Sequence, residues 1–227
     1  MTYEQFMNTT YLPYYQSEVS EHTYSTRQPA INLVINRFGK KKLKDISIRD
    51  VQSFRTWLLS KNGGNYSQAY ASLTFGMFRK TLEFAVSMQF LDTNVSMKVK
   101  AIPKGRTHSQ YWTKRDFEEV ISHIYIDDFY EHLCFVLLWL YFCTGLRVNE
   151  GTALWWNNID FEKKQLTVNH MLIMKSKTNW IRQNHTKTDS GLRTISLDDD
   201  TISILKEWKN RQASLGRVNF VLSYDGN

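Results

Sequence analysis

Apolar residues recur at helical spacing through the first hundred positions, and strand-like alternation begins only near position 158. Ile48, Val51, Phe54 and Leu58 keep one helical face apolar. Ser47 and Asp50 precede them at capping-box spacing, with Asp in place of the usual Glu or Gln. A longer helix is expected from about Ser67 to Phe90, with Tyr70, Leu73, Met77, Phe84 and Met88 on one side. Thr23 to Phe38 is a weaker helix pattern. Pro29 fits only near a first turn, so that helix is expected to begin later than its apolar pattern. Gly39 and the run "KKKLK" mark a turn, and the aromatic-rich start from Tyr3 to Tyr15 adds a further helix. The first half is thus expected to be a small bundle of four or five short helices.

The segment "VKAIPKGRTHSQ", Val99 to Gln110, is polar and basic, contains Pro103 and Gly105, and reads as a linker. Thr113 and Asp116 then cap a helix expected to reach about Tyr125. The most apolar run in the chain, "LCFVLLWLYFC", follows within a helix expected from about Asp128 to Cys143, and Arg147 to Leu154 adds a short one. Eleven residues are too few to span a bilayer, so the run reads as a buried helix. "NNIDF", "QLTVNHMLIM" and "GLRTISL" read as strands, with a ragged hairpin across Ile173 to Leu192. Ile202, Leu205 and Trp208 mark a last helix, started by "DDD" at Asp198 to Asp200, and "NFVLS" suggests a further extended piece.

Charge changes this picture more than composition does. The net charge is +7, but residues 1–106 carry 15 Lys or Arg against 7 Asp or Glu, and residues 107–227 carry 14 against 15. The excess sits in the helical half, which points to a polyanionic partner: nucleic acid first, an acidic membrane surface second. An apolar fraction of 42% supports packed cores. Cys134 and Cys143 lie on one helix and read as reduced core residues. With no signal peptide and no membrane-length apolar run, a soluble cytoplasmic protein is expected.

The six histidines form no metal-ligand spacing, and neither a phosphate-binding glycine loop nor a serine-nucleophile elbow occurs, so no metal and no cofactor are expected. Two stretches remain. "TGLRVNE" follows the apolar helix and places Arg147 one turn before Glu150. Arg147 reads either as a helix C-terminal charge paired locally with Glu150, or as a guanidinium turned by Gly145 into a cleft to grip a phosphate through two parallel hydrogen bonds. In "HTKTDSGLRTI", Lys187 reads either as a solvated hairpin tip or as a proton donor to a leaving oxygen, while Arg193 supports the hairpin.

"TGLRVNE", then "ALWWNNIDF", then "TKTDSGLRTISL", resemble in order and spacing the tyrosine recombinase family, the phage and transposon integrases. The pieces "YLPYY", "VSEHTYS", "RFGKKKLKDISIRDVQSF" and "AVSMQFLDTNVS" look like that family's core-binding domain, so the resemblance runs from about Thr2 to Phe220. It implies a multi-domain chain: an all-α, SAM-like core-binding domain over 1–100, a linker over 101–110, and the first part of a mixed α+β catalytic domain over 111–227. It gives Arg147 and Lys187 catalytic roles, with Glu150 in support. Asn158 stands where an Asp is frequent and Thr186 where a Pro is common.

In such enzymes a tyrosine hydroxyl attacks a DNA phosphodiester, forms a 3′-phosphotyrosyl link and releases a 5′-hydroxyl, which retains the bond energy for rejoining. An arginine at the phosphate is worth roughly 3–4 kcal/mol, by analogy with a lost oxyanion donor. The family's His-x-x-Arg and nucleophilic tyrosine have no match here, and Tyr224 lies in a different setting. The expectation is therefore a DNA-binding piece of a site-specific recombinase of a mobile element, bacterial or phage-encoded, which does not recombine DNA by itself. The alternative is a non-catalytic DNA-binding or regulatory module.

Double-stranded DNA is the expected partner, clamped between the two halves, with self-assembly on DNA (a tetramer in the full-length family). Phosphate contacts are expected from Arg27, Arg49, Arg55, Arg79, Lys98, Lys100 and Lys104. For Lys40, Lys41, Lys42 and Lys44 a solvated turn is an equal reading.

Overall fold

The computed structural model describes residues 1–105, 109–174, 179–183, 191–216 and 218–223. The chain divides into two compact units, Met1–Ser109 and Gln110–Asn227.

The first unit is helical: α1 (Tyr3–Phe6), a π-helical turn (Met7–Tyr11), α2 (Leu12–Glu18), α3 (Glu21–Phe38), α4 (Ile48–Leu59) and α5 (Gln68–Ser87). Local side chains start most of them. Thr2 with Gln5 and Ser47 with Asp50 form capping boxes, and the Ser20 and Ser67 hydroxyls accept from the amides of Thr23 and Tyr70. Aromatic rings fill the centre. Phe38 and Phe78 stack at 4.4 Å, and Phe54 meets both edge-on at 5.3 and 5.7 Å. The buried Tyr3 hydroxyl is satisfied by Thr81 Oγ1 at 2.7 Å.

Three details differ from the sequence reading. The α3 helix starts at Glu21 and runs through Pro29. Pro29 and Ser25 are both exposed, so water can reach the Ser25 carbonyl that loses its amide partner. On α5 the buried residues are Ala71, Thr74, Phe75, Met77, Phe78, Thr81, Leu82 and Ala85, so Met77 is buried as expected, whereas Met88 is 51% exposed. Small and hydroxyl side chains hide that face from an apolar scan. The start of the supposed linker is packed: Val99 and Ile102 are buried in the first core, and Ser72 donates to the Ile102 carbonyl at 2.7 Å.

Among its described residues the second unit mixes helices α6 (Lys114–Ile121), α7 (Phe129–Thr144), α8 (Val148–Gly151) and α9 (Asp199–Gln212) with five short strands. Strands β1 (Ile159–Asp160), β2 (Gln165–Val168) and β5 (Arg193–Ser196) form an antiparallel sheet, with Leu166 opposite both Ile159 and Ile195. Strands β3 (Met171–Met174) and β4 (Trp180–Gln183) form a separate two-stranded sheet, with Leu172 opposite Arg182. The expected single strand "QLTVNHMLIM" therefore breaks at Asn169–His170 and serves two sheets. The core joins Val136 and Leu140 of α7 to Leu166, Leu197, Leu205 and Trp208. The Gln212 amide holds the last described segment by donating to the carbonyls of Phe220, Val221 and Ser223, while its Oε1 accepts from Trp156 Nε1.

The α7 helix is not enclosed on every side. Leu133, Val136 and Leu140 are buried, but Phe142 is 39% exposed and Cys143 is exposed, so Cys143 is not a core residue. Both cysteines are free thiols. No helix among the described residues is long and apolar enough to cross a membrane.

Candidate functional site

The site begins where α7 stops. Gly145 takes the left-handed conformation (φ 61°) and its amide bonds to the Tyr141 carbonyl at 3.2 Å, a helix ending that favours glycine. Leu146 then turns into the core and Arg147 turns out, with a side chain 66% exposed. Glu150, one turn later, is buried, its side chain only 4% exposed.

Among the described residues the Glu150 carboxylate accepts four hydrogen bonds, all from two arginines. Oε2 accepts from the Arg147 amide at 2.9 Å and from Arg193 Nη2 at 2.8 Å. Oε1 accepts from Arg147 Nη1 at 2.7 Å and from Arg193 Nη1 at 3.2 Å. Burial alone would raise the Glu150 carboxyl. The guanidinium of Arg193, then the amide and guanidinium of Arg147, overcome that and hold it at about 2, well below its ordinary 4.5. The same pairing raises Arg193.

The carboxylate is thus ionised at neutral pH and fully occupied. One carboxylate against two guanidinium groups leaves net positive charge. The Nε and Nη2 of Arg147 make no hydrogen bond among the described residues. An exposed, oriented guanidinium with free donors suits a phosphate oxygen. Arg147 thus pairs with Glu150, as the first local reading has it, and its guanidinium also faces solvent.

Two supports leave no clear mark in the sequence. The Tyr141 hydroxyl donates to the Val148 carbonyl at 2.9 Å, bracing the turn that carries Arg147. A Cβ on Gly151 would lie 2.5 Å from that hydroxyl oxygen, so a larger residue there would have to displace the tyrosine. Asn158 is a buried hub: Oδ1 accepts from the Trp155 amide at 3.0 Å and Arg182 Nη2 at 2.9 Å, and Nδ2 donates to Asn169 Oδ1 at 3.0 Å. The asparagine that replaces the frequent Asp thus completes a network of its own. Arg193 braces Glu150 rather than the hairpin alone. Lys187, His185 and Thr186, like Tyr224, lie outside the described residues.

The candidate DNA contacts divide into free and committed groups. Lys40, Lys42, Lys44, Arg49, Lys98, Lys100 and Lys104 are exposed. Lys41 is exposed but pairs with Asp50 at 2.5 Å. Arg55 spends Nε on the Lys100 carbonyl at 2.8 Å, and Arg79 points Nη2 at Met97 Sδ at 2.9 Å. Arg27 is half-buried on α3. Among the described residues no group of three His, Cys, Asp or Glu could hold a metal.

Known proteins share this architecture. Residues 2–59 match the phage integrase N-terminal SAM-like domain. The ICEBs1 integrase of Bacillus subtilis (strain 168) is 26% identical over 210 residues, covering 90% of this chain and 54% of the relative. A "tyrosine recombinase XerC-like" protein of Caldanaerobacter subterraneus subsp. tengcongensis is 40% identical over 90 residues, 36% of this chain and 22% of the relative. The Tn1549 transposon integrase in complex with transposon right end DNA superposes with a TM-score of 0.80 at 18% identity, over 100% of this chain and 72% of that one. A lambda integrase dimer bound to a core site gives 0.68 at 13% identity, over 98% and 57%.

The fold is a helical SAM-like unit followed by a mixed α+β unit of integrase type. Along its length the chain is similar to integrases and tyrosine recombinases. It spans about half the length of the ICEBs1 integrase.

Proposed function

We propose that the protein acts on double-stranded DNA in site-specific recombination, the integration or excision of a mobile element. The observation that carries this reading is the exposed Arg147 guanidinium, fixed through buried Glu150 and backed by Arg193. Its free donors would stabilise the extra negative charge that builds on a phosphodiester under attack. Lys187 would donate a proton to the departing 5′-oxygen. Glu150 and Arg193 touch no reacting atom in this scheme; they hold Arg147 in place.

The exposed cations of the first unit, Lys40, Lys42, Lys44, Arg49, Lys98, Lys100 and Lys104, would contact backbone phosphates, which position the protein without reading sequence. Copies would assemble side by side on DNA in the cytoplasm. Strand exchange is proposed for the whole protein; these 227 residues supply Arg147, Glu150, Lys187 and Arg193.

The test is to trap a covalent protein–DNA adduct from the whole protein on a nicked substrate carrying the element's ends. Adduct should form with the natural residues and fall by at least about a hundredfold in Arg147→Gln. Full adduct yield in Arg147→Gln would refute the assigned role.

A further inference from the structure

Arg182, met above only as a partner of Asn158, is a half-buried cation, and burial lowers its affinity for its proton. Among the described residues it pairs with no carboxylate. Its acceptors are neutral: Nε donates to the Ala153 carbonyl at 2.9 Å and Nη2 to Asn158 Oδ1 at 2.9 Å. The guanidinium carbon lies 3.8 Å from the centroid of the Trp155 ring. Desolvating a cation against neutral groups is costly, so its geometry has to supply the return.

That geometry joins two parts of the second unit. Arg182 is on β4, in a two-stranded ribbon that among the described residues shares no ladder with the β1–β2–β5 sheet. A two-stranded ribbon by itself is marginal in water, and this one also packs through β3 against α8. Its acceptors lie on Ala153–Asn158, the stretch that directly follows α8 with its Glu150. A second contact runs the same way: Trp180 of β4 meets Phe220 edge-on at 5.3 Å, and Phe220 meets Trp155 at 5.8 Å. Arg193, the next described arginine along the chain, bonds to Glu150. Two arginines eleven positions apart therefore tie to one short stretch, residues 150–158.

We propose that Arg182 is a positioning residue that fixes the β3–β4 hairpin against Ala153–Asn158, and so sets the distance from Arg147 to the hairpin for a bound DNA strand. The proposal rests on the DNA reading above. It requires arginine specifically. A lysine carries the same charge, but its single ammonium cannot reach two divergent acceptors while lying flat on an indole.

Amide hydrogen exchange on the 227-residue chain, with and without saturating duplex DNA, tests this. In Arg182→Gln the β3–β4 amides should exchange about tenfold faster or more, while the β2–β5 amides of the same sample keep their rates and report an intact unit. Arg182→Lys should behave like the glutamine variant. With duplex present, the natural hairpin should gain protection, and both variants should bind DNA without gaining it. Unchanged hairpin exchange in Arg182→Gln, or full rescue by Arg182→Lys, overturns the role. A natural hairpin indifferent to duplex overturns the link to DNA. That failure is told apart from the others because the tenfold effect in the free protein would remain.

Discussion

Glu150 and Arg193 stand 43 residues apart in sequence and meet in a two-pronged ion pair, Nη2 to Oε2 at 2.8 Å and Nη1 to Oε1 at 3.2 Å. The same carboxylate holds Arg147 through both its amide and its guanidinium. A strand from the later part of the unit thereby braces a helix turn from the earlier part, and the exposed arginine inherits that rigidity.

This pairing makes stability depend on acid. Because the folded Glu150 titrates near 2 rather than at its ordinary 4.5, its contribution is complete above about pH 4.5 and drains away as pH falls toward 2. The contribution is on the order of 3 kcal/mol. Denaturant unfolding of natural protein and Glu150→Gln at pH 7 and pH 3 checks it. The variant should be weaker at pH 7, and the gap should narrow at pH 3. A gap of equal size at both values would show that Glu150 acts through packing instead.

Gly151→Ala should disturb the same turn. The new methyl carbon would sit 2.5 Å from the Tyr141 oxygen and 2.7 Å from its ring, forcing the tyrosine off the Val148 carbonyl. We expect a loss of roughly 1–3 kcal/mol, read as a lower unfolding midpoint, with weaker DNA binding. An unchanged midpoint would show that the tyrosine moves aside freely.

Much of this is legible in the sequence. Capping pairs such as Ser47 with Asp50 and Thr113 with Asp116 announce helix starts because the chemistry is local. "TGLRVNE" announces the arginine and its carboxylate because they are one turn apart. What stays hidden depends on distant partners. Nothing near Arg182 in the chain points to Trp155 or Asn158, and Tyr141 looks like one more aromatic in an apolar run until its hydroxyl finds Val148. The buried face of α5 escapes for a related reason: Ala71, Thr74 and Ala85 are small and pack closely, and a search for large apolar residues passes over them.

The first unit should show two kinds of basic residue. Replacing Lys40, Lys42 and Lys44 together by alanine should reduce the salt dependence of DNA binding by roughly 0.9 for each phosphate no longer neutralised, with little change in folding. Arg55→Ala should instead lower the stability of the first unit by about 1 kcal/mol, because Nε is spent on the Lys100 carbonyl. Binding at several salt concentrations and thermal unfolding separate the two. Equal effects of both changes on the salt slope would contradict the division.

The most direct measurement is the affinity of the chain for duplex DNA, followed by fluorescence anisotropy from about 50 to about 200 mM salt, for the natural sequence and for Arg147→Gln. If Arg147 grips a backbone phosphate, affinity falls steeply and linearly on logarithmic axes, and the variant binds roughly tenfold or more weakly. A flat salt response, with Arg147→Gln binding as tightly as the natural chain, would contradict the account.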